Sequence, residues 1–151
     1  MRVALDSNIL VYLTGVIQAE SDRAKAEQAR TLVESLGPAI LIAPVQALGE
    51  TFAVLRRTGV PATKAREKIA DMIDTFAAPA STPQTALAAA DLVVDHKLQY
   101  WDAMIVSAAA DAGCTLLLSE DMQHGFVARG LTVVNPFAEP MHPKLTALMA
   151  E

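Results

Sequence analysis

The residues able to do chemistry in this sequence are acids at the ends of apolar runs. Asp6 follows Val3-Ala4-Leu5, and Glu120 and Asp121 come soon after Leu116-Leu117-Leu118. Glu50 enters a helical stretch shortly after Ile40-Leu41-Ile42, and Asp102 heads an alanine-rich helical stretch. Asp102, Ile105 and Ala109 follow i, i+3, i+7 spacing, which puts them on one core-facing helix face. An acid at the head of an apolar stripe is costly to bury unless a helix N-terminus or a metal ion compensates it. Considered alone, Asp102 is better read as a first-turn acid that favours the helix dipole. The argument for a site rests on the acids taken together. Converging carboxylates repel one another, a hard divalent cation relieves the repulsion, and carboxylate oxygen suits magnesium or manganese. A carboxylate-held magnesium keeps several waters and meets its substrate through phosphate oxygens, so phosphodiester hydrolysis follows more naturally than peptide or ester hydrolysis. The 3 histidines and 1 cysteine are too sparse for a typical zinc site. The chain has neither a Gly-x-Ser-x-Gly elbow nor a glycine-rich phosphate loop.

For these acids to meet, the elements carrying them must share one edge. Short apolar runs predict strands over 2–5, 39–43, 115–118 and 131–134. Helices are predicted as a brief turn over 9–13 and as longer segments over 21–36, 45–57, 61–76, 84–97 and into the alanine-rich stretch at 103–112. Leu48, Phe52 and Leu55 mark one inward face, and Ile69, Ile73 and Phe76 another. Gly125 and Gly130 punctuate a short helix, and a short edge strand is possible within 77–83. Strands separated by helices predict an α/β domain around a mostly parallel sheet. Ligands bind such sheets at the carboxyl ends of the strands, where the connecting helices also begin. Asp6, Glu50, Asp102 and the Glu120–Asp121 pair can all lie there. Residues 1–137 form a single domain on this reading. The tail at 138–151, with Pro140 and Pro143, is expected to be peripheral.

Composition narrows the classes further. The chain has 151 residues, 52% hydrophobic and 19% charged, which describes a globular protein with a sizeable core. Its apolar runs are too short for a membrane span, and MRVALDSN lacks a signal-peptide layout, so a cytoplasmic protein is expected. Cys114 is the only cysteine, which excludes an internal disulfide, and it reads as a small core residue. The net charge of −5 argues against broad, charge-driven nucleic-acid binding. A local basic cluster remains at Arg56, Arg57, Lys64, Arg66 and Lys68, and such runs are usually solvated helix faces. Arg56 and Arg57 follow Glu50 by about two helical turns, which would let them reach substrate phosphate at a cleft rim.

DSNILVY at 6–12, PVQALGETFAVLRR at 44–57, YWDAMIVSAAADAG at 100–113, LLLSEDMQHG at 116–125 and GLTVVNPF at 130–137 together resemble the PIN domain family. More narrowly, they are similar to VapC-type toxins of bacterial toxin–antitoxin pairs. The resemblance implies a three-layer α/β/α sandwich around a mostly parallel sheet of about four to five strands, often as a homodimer. It also implies Mg²⁺-dependent endoribonuclease activity, with Mn²⁺ as the alternative ion, and a cognate antitoxin. By position, Asp6, Glu50, Asp102 and Asp121 match the acidic quartet, with Asp6, Asp102 and Asp121 as metal ligands. Ser119 and Asn8 match supporting polar positions. Glu120 matches the acid beside the last Asp, with its direction open. His124 reads as a surface or capping residue, and Tyr100 and Trp101 as packing residues ahead of base-stacking ones. A haloacid-dehalogenase-like phosphohydrolase would want Asp-x-Asp where this chain has Asp6-Ser7-Asn8. A receiver-type signalling domain would want a lysine after a late strand, and none occurs between Lys97 and Lys144. A non-catalytic scaffold with an acidic binding pocket is the remaining alternative, and the complete quartet argues against it.

Overall fold

Short apolar strands and longer amphipathic helices build a 5-stranded sheet of order β2-β1-β3-β5-β4 in the computed structural model, which describes residues 1–150. β1 (Arg2–Leu5), β2 (Ile40–Ile42), β3 (Leu116–Leu118) and β5 (Leu131–Val134) run parallel, and β4 (Val127–Ala128) runs antiparallel to β5. Val3, Ala4 and Leu5 and every residue of β3 and β5 are buried. Successive strand side chains point to opposite faces, so these buried runs require helices on both sides of the sheet. The cover comes from α1 (Ser7–Leu13), α2 (Glu20–Ser35), α3 (Val45–Arg57), α4 (Ala62–Thr75), α5 (Pro83–His96), α6 (Tyr100–Asp111) and α7 (Pro143–Met149). One apolar cluster runs from Val3 to Leu148. The architecture is the mostly parallel α/β sandwich that the sequence predicts.

Local sequence sets the helix starts that matter for the acids. Asp6 leaves β1 in an extended conformation and caps α1, its side chain accepting from the Ser7 amide. Gln99 caps α6 by accepting from the Asp102 amide, which fixes where Asp102 begins that helix. Thr82 and Thr85 form a capping box on α5, with Pro83 in its first turn. Strand register levels the carboxyl ends, because Leu5 pairs with Leu118 and Leu118 with Val134. The Asp6 amide then donates to the Leu118 carbonyl at 2.9 Å, and the Ser119 amide to the Val134 carbonyl at 3.0 Å. α1 packs on α2 and α3, and α6 on α3 and α5.

The structure departs from the sequence reading in four places. Residues 125–130 form no helix. Val127–Ala128 pairs with the start of β5 across Arg129-Gly130, both at positive φ (51° and 77°), as a two-residue primed hairpin turn demands. Arg129 tolerates that backbone while its guanidinium is held by Asp111 Oδ1 at 2.8 Å and the Ser107 carbonyl at 3.1 Å. Residues 77–83 contribute only a bridge from Ala77 to Ile42. In α4 Ala65 and Met72 are buried, while Ile73 is exposed. The expected peripheral tail instead carries α7, whose Leu145 and Leu148 are buried in the core cluster. Burying one such leucine is worth roughly 1.5–3 kcal/mol, which favours docking α7 on the core. Cys114 is buried as expected, and burial pushes its thiol up to about 11.

Candidate functional site

Asp6 is the best-supported side chain at the carboxyl edge. It is 3% exposed. Its Oδ1 accepts from the Ser7 amide at 2.7 Å, and its Oδ2 accepts from Ser119 Oγ at 2.7 Å and Asn8 Nδ2 at 3.2 Å. Each donor follows from topology, since Ser7 and Asn8 open α1 and Ser119 follows β3, the neighbouring strand. No cation pairs with Asp6 among the described residues. Burial pushes its carboxyl up to about 6 from an ordinary value near 3.8. The Ser119 and Ser7 hydrogen bonds pull the other way, and the charges of Glu50 and Asp102 add to the rise. Two serines and an amide thus hold a carboxylate in place without neutralising it.

The other acids gather around this anchor. Asn8 Nδ2 also donates to Asp121 Oδ2 at 3.2 Å, so one amide bridges Asp6 and Asp121. Glu50 is held by Ser7 Oγ on Oε2 at 3.0 Å and by Gln46 Nε2 on Oε1 at 3.2 Å. Asp102 is half-buried, and its carboxyl is pushed up first by burial, then by Glu50 and Asp121. Among the four acids, Asp6 therefore feels the charge of Glu50 and Asp102, and Asp102 that of Glu50 and Asp121. They are not drawn tightly together. Among the described residues no three His, Cys, Asp or Glu side chains form a ready grip for an ion. Asp121 sits exposed at the rim. An open set of hard oxygen donors around one buried, uncompensated carboxylate fits a cation that keeps its waters, as magnesium does with one or two carboxylates. It does not fit a dehydrated, fully protein-bound ion.

Glu120 belongs to a different group. Its Oε1 accepts from the Tyr12 hydroxyl at 2.7 Å, and its Oε2 pairs with Lys25 Nζ at 2.7 Å. Burial and Glu120 hold the Tyr12 hydroxyl protonated well beyond its usual range, and Glu120 raises the proton affinity of Lys25. The ammonium neutralises Glu120, which leaves Asp121 as the unpaired acid of the pair. Of the two arginines, Arg57 lines a cleft of about 320 Å³ together with Asn8 and Asp121. Arg56 instead donates to the Val60 carbonyl at 2.8 Å. A more apolar cleft of about 610 Å³ between α2 and residues 136–141 contains none of the quartet. Trp101 is 49% exposed, with Tyr100 edge-on against it, so only Tyr100 packs as expected. His124 accepts from the Asn135 amide at 2.9 Å.

Ser7, Gln46, Tyr12 and Lys25 were not singled out by sequence. Gln46 had a signal, because it precedes Glu50 by one helical turn. Ser7 lay within the DSN turn. Tyr12 and Lys25 had none, since only the packing of α1 and α2 reveals their shared partner.

Ser119 is a test of how far the anchor matters. Its fully buried hydroxyl donates to Asp6 and accepts from the Met122 amide at 3.1 Å. Ser119→Ala should leave the Met122 amide without its partner, strip Asp6 Oδ2 of the shorter of its two donors and lower stability by about 1–3 kcal/mol. A melt of the variant that matches wild type would show that the hydroxyl does not fix Asp6.

The sequence pattern of the PIN domain matches residues 3–129. Among solved structures, the fold is similar to VapC20 of Mycobacterium tuberculosis, described as a toxin that cleaves the sarcin–ricin loop. The two are 19% identical, with 79% of this chain and 91% of that chain covered and a TM-score of 0.63. It is also similar to VapBC2 of Rickettsia felis, solved with a DNA fragment from its promoter, at 12% identity, 88% and 97% coverage and a TM-score of 0.65. A toxin–antitoxin complex from Klebsiella pneumoniae matches at 18% identity, 89% and 98% coverage and a TM-score of 0.65. Comparison with curated protein sequences gave no match. At such identities the structural likeness speaks to the fold alone.

Proposed function

The chain belongs to the PIN domain family, and on that premise we propose that it is a Mg²⁺-dependent endoribonuclease, with Mn²⁺ as the alternative ion, acting as the toxin of a toxin–antitoxin pair. The observation that carries this reading is the buried Asp6 carboxylate, paired with no basic side chain among the described residues and within electrostatic reach of Glu50 and Asp102. Asp6, Asp102 and Asp121 would hold the ion. When bound, it would supply charge stabilisation at the phosphate and a more acidic water. The chain's own residues do the rest. Ser7, Asn8 and Ser119 orient Asp6, and Asn8 also positions Asp121. Glu50, held at both oxygens by Ser7 and Gln46, orients water at the cleft. Hydrolysis joins the water oxygen to phosphorus, and the departing ribose oxygen takes up a proton. One domain would carry this chemistry, with α7 docked on its core.

The similar structures include complexes with antitoxins, which supports a cognate antitoxin here. An acidic pocket is a ready socket for an arginine, whose guanidinium pairs bidentately with carboxylates. The partner is expected to insert a basic side chain among Asp6, Asp102 and Asp121, and a homodimer is the expected assembly of the toxin. No described helix is long and apolar enough to cross a membrane. Cleavage of a mixed RNA substrate with chelator, then with Mg²⁺ or Mn²⁺ restored, tests the reading. Activity is expected only with the ion, and full activity in excess chelator would sink it.

A further inference from the structure

The cleft beside Asp121 has a lining that the acid chemistry does not use. At about 320 Å³ it lies at the small end of ligand-binding clefts, with room for one nucleotide rather than a polypeptide element. Val11 from α1, Val16 from the 14–19 link and Val54 from α3 provide apolar surface, while Gln18, Asp22 and Arg57 provide polar groups. Asp22 commits Oδ2 to the Ala19 amide at 3.0 Å, which leaves its Oδ1 as an acceptor. Arg57 forms no ion pair among the described residues, whereas Lys25 nearby is taken by Glu120. A free guanidinium next to a group of acids suits a ligand that carries phosphate into the acidic zone.

We propose that this cleft is a nucleoside subsite adjoining the cleaved bond, an inference that rests on the ribonuclease reading above. One unstacked base lies against Val11, Val16 and Val54, its polar edge meets Gln18 and the free Asp22 oxygen, and Arg57 binds that nucleotide's phosphate. The acceptors favour a base with adjacent N–H donors at its pairing edge, so guanine fits best. Apolar and stacking contact with single bases is the general means of holding unpaired nucleic acid.

The test uses the whole chain and the four ribonucleoside 5′-monophosphates as probes, followed by methyl NMR. Guanosine monophosphate should shift the Val11, Val16 and Val54 methyls. Arg57→Ala should weaken its binding by at least about tenfold. Val16→Trp should abolish the shifts by filling the cleft. Gln18→Ala, at an exposed position, provides a second variant should the tryptophan fail to fold, and should narrow the preference among the four bases. In parallel, an RNA that the protein cuts is scanned with abasic sites. One position beside the cut should cost about tenfold in wild type, the value of one base contact, and nothing in Val16→Trp. Shifts in the cleft without cleavage of any RNA would support nucleoside binding there, and would overturn the ribonuclease reading and with it the subsite's place beside a cleaved bond. Cleavage with a flat abasic scan and no cleft shifts would overturn the subsite, leave the ribonuclease reading standing, and assign the cleft to a protein partner's side chain.

Discussion

Asp102→Asn is expected to lower RNA cleavage by roughly two to three orders of magnitude, the size of effect seen when one charge-stabilising group is removed from an active site. The fold should survive. The start of α6 depends on the Asp102 amide, which donates to Gln99 Oε1 at 3.0 Å, and the substitution leaves that bond in place. The side chain matters through its charge, which is partly desolvated and repelled by Glu50 and Asp121. Asparagine keeps the shape and removes the charge, so the metal-free variant should melt no lower than wild type. A first-turn acid with no further role predicts the opposite pair of results. Its loss would cost about 0.3–1 kcal/mol of helix stability and leave cleavage untouched. Measuring both quantities on one folded preparation decides between them, and wild-type cleavage by Asp102→Asn would remove Asp102 from the site.

The parts of this molecule that could be read in advance are those where one local signal has one outcome. Val3-Ala4-Leu5 and Leu116-Leu117-Leu118 are too short for helices and too apolar for loops, so they predict buried strands, and the acids after them fall at the sheet's carboxyl edge. Where a signal has two outcomes, the sequence misleads. Gly130 reads as punctuation after a helix, yet with Arg129 its positive-φ backbone closes a hairpin because β5 offers a strand to pair with. Pro143 falls in a tail that reads as peripheral, yet it opens α7, where proline is at home. Ile73 and Met72 differ by one residue in helical phase, which tertiary packing settles and periodicity does not. The same limit governs the site. Asp6 precedes α1, Asp102 lies in the first turn of α6 and Asp121 follows β3, so their placement at the carboxyl edge could be read from the order of the elements. The capture of Glu120 by Tyr12 and Lys25 depends on how α1 and α2 pack, and adjacent acids at 120 and 121 carry no mark of which is neutralised.

Asp6 should make metal-free stability fall as pH rises, against the trend usual for acids. Its carboxyl sits at about 6 in the folded chain and near 3.8 when unperturbed. Between those values the folded state holds a proton that the unfolded state has released, so stability is greatest below the unfolded value and is lost as pH climbs through about 6. The gap corresponds to about 3 kcal/mol as an upper bound for a site this buried. Asp102, also raised, acts in the same direction. Asp6→Asn sacrifices hydrogen bonds from Ser119 or Asn8 at every pH, so its absolute stability is a poor guide. The difference between the two proteins is diagnostic. Relative to wild type, the variant should gain up to about 3 kcal/mol between pH 4 and pH 7 when chelator is present. Millimolar Mg²⁺ should shrink that gain by stabilising the wild-type carboxylate through mass action, while the variant responds less. Denaturant melts of both proteins across that range, with and without the ion, measure the whole effect. Parallel pH curves for wild type and variant would mean that Asp6 is compensated in the folded chain by something other than a bound cation, and the case for an ion at this edge would fall with it.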